Sequence, residues 1–99
     1  MAGDYAVSAV RYTAEGSLVH RVRLHEVLPV SIGPPLEVGR DDLVGVLESG
    51  RLVVAVRQDP RGRYSPVASI RLVGLKGRSD LRCDGEMVPS DDLSGLPHF

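Results

Sequence analysis

The sequence predicts a small α+β fold, a mainly antiparallel sheet in chain order β-β-α-β-β-β with one short helix packed on one face. Three observations predict it. Fifteen Val and twelve Leu stand against three Tyr, one Phe and no Trp, and β-branched valine packs well on a pleated surface. Alternation of apolar and polar residues marks the second strand run most clearly. Helical spacing is confined to one stretch, Arg40 to Ser49. A chain of 99 residues is the length of one domain, residues 1–99, with a core of modest size.

The first strand runs from Tyr5 to Tyr12, with Tyr5, Val7, Val10 and Tyr12 set among small residues. Thr13-Ala14-Glu15-Gly16-Ser17 supplies turn chemistry, and Gly16 can take positive φ. The second strand, Leu18 to Val27, places Leu18, His20, Val22 and Leu24 on one face and Val19, Arg21, Arg23 and His25 on the other. The pair reads as a β-hairpin. Leu28 to Pro35 is a loop, because Pro29, Gly33, Pro34 and Pro35 interrupt regular hydrogen bonding.

In the helix, Leu43 and Leu47 stand four apart beside Val44 and Val46. Asp41 and Asp42 in the first turn suit the helix dipole, and Gly50 sits where a left-handed cap belongs. Gly45 weakens the interior by roughly 1 kcal/mol relative to Ala. So short a helix must lie on a sheet. The apolar run Leu52 to Val56 suits a strand buried on both faces. Asp59-Pro60-Arg61-Gly62 is a turn, Val67 to Leu75 a strand, Lys76 to Ser79 a turn, and Leu81 to Cys83 a short last strand ended by Asp84-Gly85. The tail from Glu86, with Met87, Val88, Leu93 and Leu96, is expected to pack irregularly, with a single helical turn from Ser90.

These residues resemble a family of small bacterial domains of unknown function. Tyr5-Ala-Val-Ser-Ala-Val-Arg11 is similar to the family's Y-x-I-x-x-V-R opening, and Leu18-Val-His-Arg-Val-Arg23 to its second strand, I-T-H-V-R-V. Val38 to Gly50 falls where the family has a short helix closed by Gly. Leu81-Arg-Cys-Asp-Gly85, then Asp91-Asp-Leu-Ser-Gly-Leu-Pro97 and Phe99, resembles its L-R-T-x-x-D-G…D-N-L-x-x-L-P-x-F close, with Cys83 for Thr and Asp92 for Asn. The resemblance implies a compact single domain and brings no activity with it.

Composition excludes several classes. The net charge of -1 gives no strong field. The single cysteine, Cys83, allows neither an internal disulfide nor a C-x-x-C metal knuckle. The opening Met1-Ala2-Gly3-Asp4 lacks the basic and apolar regions of a signal peptide, and no apolar run is long enough to span a membrane. A cytoplasmic protein is expected. His20 and Cys83 could form a Cys–His pair, but the pattern favours a packed thiol and a core or edge histidine. Asp80, Asp84, Gly85 and Asp91 echo a calcium loop, yet its third position is the cation Arg82. Asp84, Glu86, Asp91 and Asp92 are better placed to cap turns than to hold a hydrolytic geometry. No dinucleotide fingerprint, phosphate-binding loop or zinc-helix motif occurs. No cofactor, metal or catalytic residue is therefore expected.

The arginines are the strongest signal. Arg51 to Arg82 holds eight basic residues against Asp59 and Asp80, and eleven of the twelve basic residues are Arg. Arg suits bidentate phosphate contact, and a sheet face bearing Arg with Tyr12 or Tyr64 could hold single-stranded nucleic acid. The expectation is a non-catalytic protein-interaction or regulatory module, not an enzyme, with a protein partner or self-association through exposed sheet edges. The alternative is a nucleic-acid-binding protein using Arg11, Arg21, Arg23, Arg57 and Arg71. A small enzyme or enzyme subunit ranks third.

Overall fold

A computed structural model describes residues 3–13, 18–75, 78–82, 93 and 96–99. It shows the α+β class that the sequence predicts. The strands are β1 (Tyr5–Tyr12), β2 (Val19–Glu26), β3 (Leu36–Gly39), β4 (Val53–Gln58), β5 (Tyr64–Leu75) and β6 (Arg78–Arg82), with helix α1 (Arg40–Glu48) between β3 and β4. They form one sheet in the order β3-β2-β1-β4-β5-β6. All neighbours are antiparallel except β1 and β4. That parallel pair arises because β3, α1 and β4 form a crossover, with α1 lying against β2, β3 and β5.

Strand β3 is an addition to the expected order. Its residues Leu-Glu-Val-Gly are half-exposed or exposed, so burial left no strong pattern to read. Strand β5 begins at Tyr64, three residues before the expected Val67, and takes in Pro66. A register shift lies between Ala55 and Val56, and the extra residue on the β5 side, Val67, lets the chain carry a proline there. Strand β6 starts earlier than expected, at Arg78. Cys83, Asp84 to Asp92, and the turn at Lys76 and Gly77 lie outside the described residues.

Register divides the sheet into two faces. Val7, Val10, Val22, Leu24, Val53, Ala55 and Ile70 turn toward α1, where Leu43 is fully buried, and form the core with Leu81. Leu93 and Leu96, from the tail expected to pack irregularly, are buried in the same cluster. The Leu93 N–H donates to the Tyr12 hydroxyl at 3.1 Å. At one end of α1, the Asp42 carboxylate accepts from the Gly39 N–H at 3.3 Å. At the other, Gly50 has φ +86°, the left-handed conformation expected of it.

Two register shifts bend the β1–β2 hairpin. The first makes Ser8 and Ala9 together oppose Arg23; the second leaves His20 as the extra residue between Val19 and Arg21. The second has a visible cost to sequence reading. It moves Val19 into the core and turns His20 out to solvent, the reverse of the simple alternation. Among the described residues, no helix is long and apolar enough to cross a membrane.

Candidate functional site

Three of the five arginines singled out from sequence come together. Arg11 and Arg21 are register partners, and Arg23 follows on β2. All three project from the face opposite α1, because Val10, Val22 and Leu24 between them point into the core. Glu37 on β3 holds two of them. The Arg21 Nε lies 3.0 Å from Glu37 Oε2, close enough for an ion pair but without hydrogen-bond alignment. Arg11 is 4.0 Å from the same carboxylate. The Arg11 Nε–H also donates to the Phe99 backbone oxygen at 2.8 Å. The guanidinium groups of Arg11 and Arg23 stand 4.7 and 4.5 Å from the Phe99 ring centre, so one aromatic ring gathers both cations.

The other two stand apart. Arg57 is on β4, exposed, and borders a cleft that Arg23 also lines. Arg71 follows Ile70, which is paired with Val53 and so is level with Tyr5. It therefore lies at the opposite end of the sheet from Arg11, six or seven residues along the strand direction, roughly 20 Å. The five arginines do not form one patch.

The cleft is built by the hairpin's first irregularity. Strand β4 pairs with β1 only from Tyr5 to Val7. Beyond that, segment 97–99 takes over the same edge. The Val10 N–H donates to the Pro97 oxygen at 2.9 Å, and the Phe99 N–H donates to the Val10 oxygen at 3.2 Å. Between the two partners lies Ser8, at the bulge. The space there, about 350 Å³, is lined by Ser8, Arg23, His25, Arg57, Gln58, Tyr64, His98 and Phe99 among others, and no acidic side chain among the described residues belongs to its lining.

A hydrogen-bonded relay runs through its wall. Ser8 Oγ is 2.7 Å from His25 Nε2, and His25 Nδ1 is 2.8 Å from the Gly33 oxygen. A carbonyl only accepts, so Nδ1 carries the proton; in the neutral ring Nε2 is then the acceptor of the Ser8 hydroxyl. His25 is 1% exposed, and Tyr64 stands against its ring at 5.3 Å. The proline-rich loop fixes the far end of the relay. Val27 bridges to Ile32, the Leu28 N–H bonds the Ser31 oxygen at 2.9 Å, and the Gly33 N–H bonds the Glu26 oxygen at 2.8 Å. The loop thus has more internal order than its prolines suggest.

Ser8 and His25 were not candidates from sequence. They are seventeen positions apart and fit no motif. Pairing Ala6 with His25 across the hairpin could have brought them near; the bulge that aims Ser8 at the ring leaves no mark in composition. His20, the histidine whose pairing with Cys83 the sequence allows, is exposed at the second irregularity.

Comparison with protein-family models, with curated proteins and with solved structures finds no match to this chain.

Proposed function

We propose that this domain is a protein-interaction module that adds an extended segment of a partner protein to the outer edge of β3. The observation that carries the reading is the edge itself. β3 ends the sheet, and no strand among the described residues pairs with its outer side. Its Leu36 is 65% exposed, although its register partner Leu24 belongs to the core. Unpaired backbone groups beside an exposed apolar side chain are what strand addition uses. The adjoining loop extends the apolar surface, with Val30 98% and Leu28 40% exposed.

Charge on this edge favours a partner's segment over a second copy. An antiparallel pairing of two β3 strands that set Leu36 against Val38 would place two Glu37 carboxylates directly opposite each other, which is destabilising. A foreign segment with apolar residues at alternate positions and no acid between them meets no such penalty. The arginine face supports nucleic acid less well. Glu37 offsets one of the two charges of Arg11 and Arg21, Arg11 and Arg23 are turned onto Phe99, and Arg71 is remote. The resemblance to a family without assigned activity leaves the geometry to carry the choice.

The test is selection from a displayed library of random extended peptides, run in parallel on the wild type and on Leu36→Lys. The wild type enriches sequences with alternate apolar residues, and the charged edge does not. Sedimentation velocity on the same samples reads self-association. No enrichment, or equal enrichment on both baits, overturns the reading; a wild-type dimer lost in Leu36→Lys would transfer the edge to a second copy.

A further inference from the structure

The Ser8–His25 relay goes beyond an interaction surface. We propose that Ser8 is a nucleophile activated by His25, accepting the acyl group of an ester that carries a negative charge.

Four observations converge on this. The hydroxyl and the ring nitrogen are at 2.7 Å, within the reach a nucleophile and its base require. The ring is held by the Gly33 oxygen at 2.8 Å, so its orientation and its accepting nitrogen are fixed before any substrate arrives. Ser8 sits on a bulge, a device that re-aims a side chain out of the ladder, and it opens into the cleft instead of being sealed in the core. Finally, the cleft presents Arg23, Arg57, Gln58 and His98 and, among the described residues, no acidic side chain. Among the described residues neither arginine has an acidic side chain within ion-pair distance. A purely structural histidine needs partners for its nitrogens. It does not need its serine at the wall of a cationic cleft.

The chemistry balances with water as the second substrate. As Ser8 Oγ bonds to the ester carbonyl carbon, its proton passes to His25 Nε2. The bond from that carbon to the alcohol oxygen then breaks, and the proton on Nε2 goes to the departing alcohol. Water attacks the resulting Ser8 ester and gives one proton to Nε2. The acyl–Oγ bond breaks, and that proton returns to Ser8. The products are an alcohol and a carboxylic acid. The cationic lining favours the negative charge that develops on the carbonyl oxygen and attracts an anionic acyl group.

The relay and the β3 edge are separate features, so either proposal can fail without the other. The experiment is covalent labelling of the full chain with an alkyl fluorophosphonate, followed by peptide mapping in a mass spectrometer. The chain has nine serines, and the other eight are internal controls. The expected result is one adduct, on Ser8, absent from Ser8→Ala and slowed about 100-fold or more in His25→Gln. Circular dichroism checks that each variant is folded. If His25→Gln does not fold, the selectivity of the wild type decides: Ser8 must label faster than every other serine in the folded chain and lose that preference in urea. Hydrolysis of 4-nitrophenyl succinate over 4-nitrophenyl acetate then reads the charge preference, which Arg57→Gln diminishes. Labelling no faster at Ser8 than elsewhere, or an unchanged rate in a folded His25→Gln, overturns the proposal.

Discussion

Phe99 draws two guanidinium groups onto one ring, and its backbone also bonds Val10 and Arg11. Each cation–π contact contributes about 0.5–1 kcal/mol at a partly exposed site. Phe99→Ala leaves the backbone bonds in place and removes both contacts. It should lower the free energy of unfolding by about 1–2 kcal/mol, read as a lower urea midpoint with an unchanged slope. Arg11→Ala in the same background should then cost less than it does in the wild type, because the shared ring is gone. At the same scale, His25 shows how one side chain links separate pieces of chain: strand β1 through Ser8, the proline-rich loop through Gly33, and β5 through Tyr64. Its burial is satisfied at both nitrogens.

Among the elements, α1 and its C-terminal turn set two glycines in contrast within six residues. Gly45 is in the helix interior, exposed, with open space where a Cβ would stand. Gly45→Ala should stabilise the protein by about 1 kcal/mol through helix propensity. Gly50 also has open space around it, but its φ is +86°. Gly50→Ala should destabilise by about 1 kcal/mol, a backbone cost with no clash behind it. Thermal unfolding of the two variants, followed by circular dichroism, should move the midpoint in opposite directions. The strands obey the same local logic until an irregularity intervenes. Alternation places Val22, Arg23 and Leu24 correctly, and fails two residues away at His20, where β2 carries one residue more than its partner.

For the whole molecule, the order of the sheet sets a gradient of protection. β1 is covered by β2 on one side and by β4 and segment 97–99 on the other, while β3 has a neighbour on one side. Native-state hydrogen exchange should therefore be slowest in the β1 amides of Ala6, Val7 and Val10 and faster along β3. A bound extended peptide should slow β3 selectively. Exchange along β3 as slow as in β1 before any peptide is added would mean that its edge is already covered. The cleft is a property of this scale too. It exists because β1 exchanges one edge partner for another between Val7 and Val10, and neither partner alone encloses Ser8.

The sequence by itself determined the elements whose signal is local. The Val and Leu content, the alternation over Val22 to Leu24, the spacing of Leu43 and Leu47, the first-turn acids Asp41 and Asp42, the cap at Gly50 and the turn at Asp59 each act within a few residues, and together they specified an α+β domain with one helix. Much of the arginine face was legible for the same reason, since alternation alone puts Arg21 and Arg23 on one side. Tertiary structure decided the rest. Strand β3 is too short and too exposed to announce itself and exists by pairing with β2. The level of Arg71 depends on the register of β5 against β4. The meeting of Ser8 with His25 depends on a one-residue bulge and on where a proline-rich loop sets the Gly33 carbonyl. Each of these follows from long-range pairing, whose energy is shared between residues far apart in the chain, and so none leaves a period or a motif at any one place in the sequence.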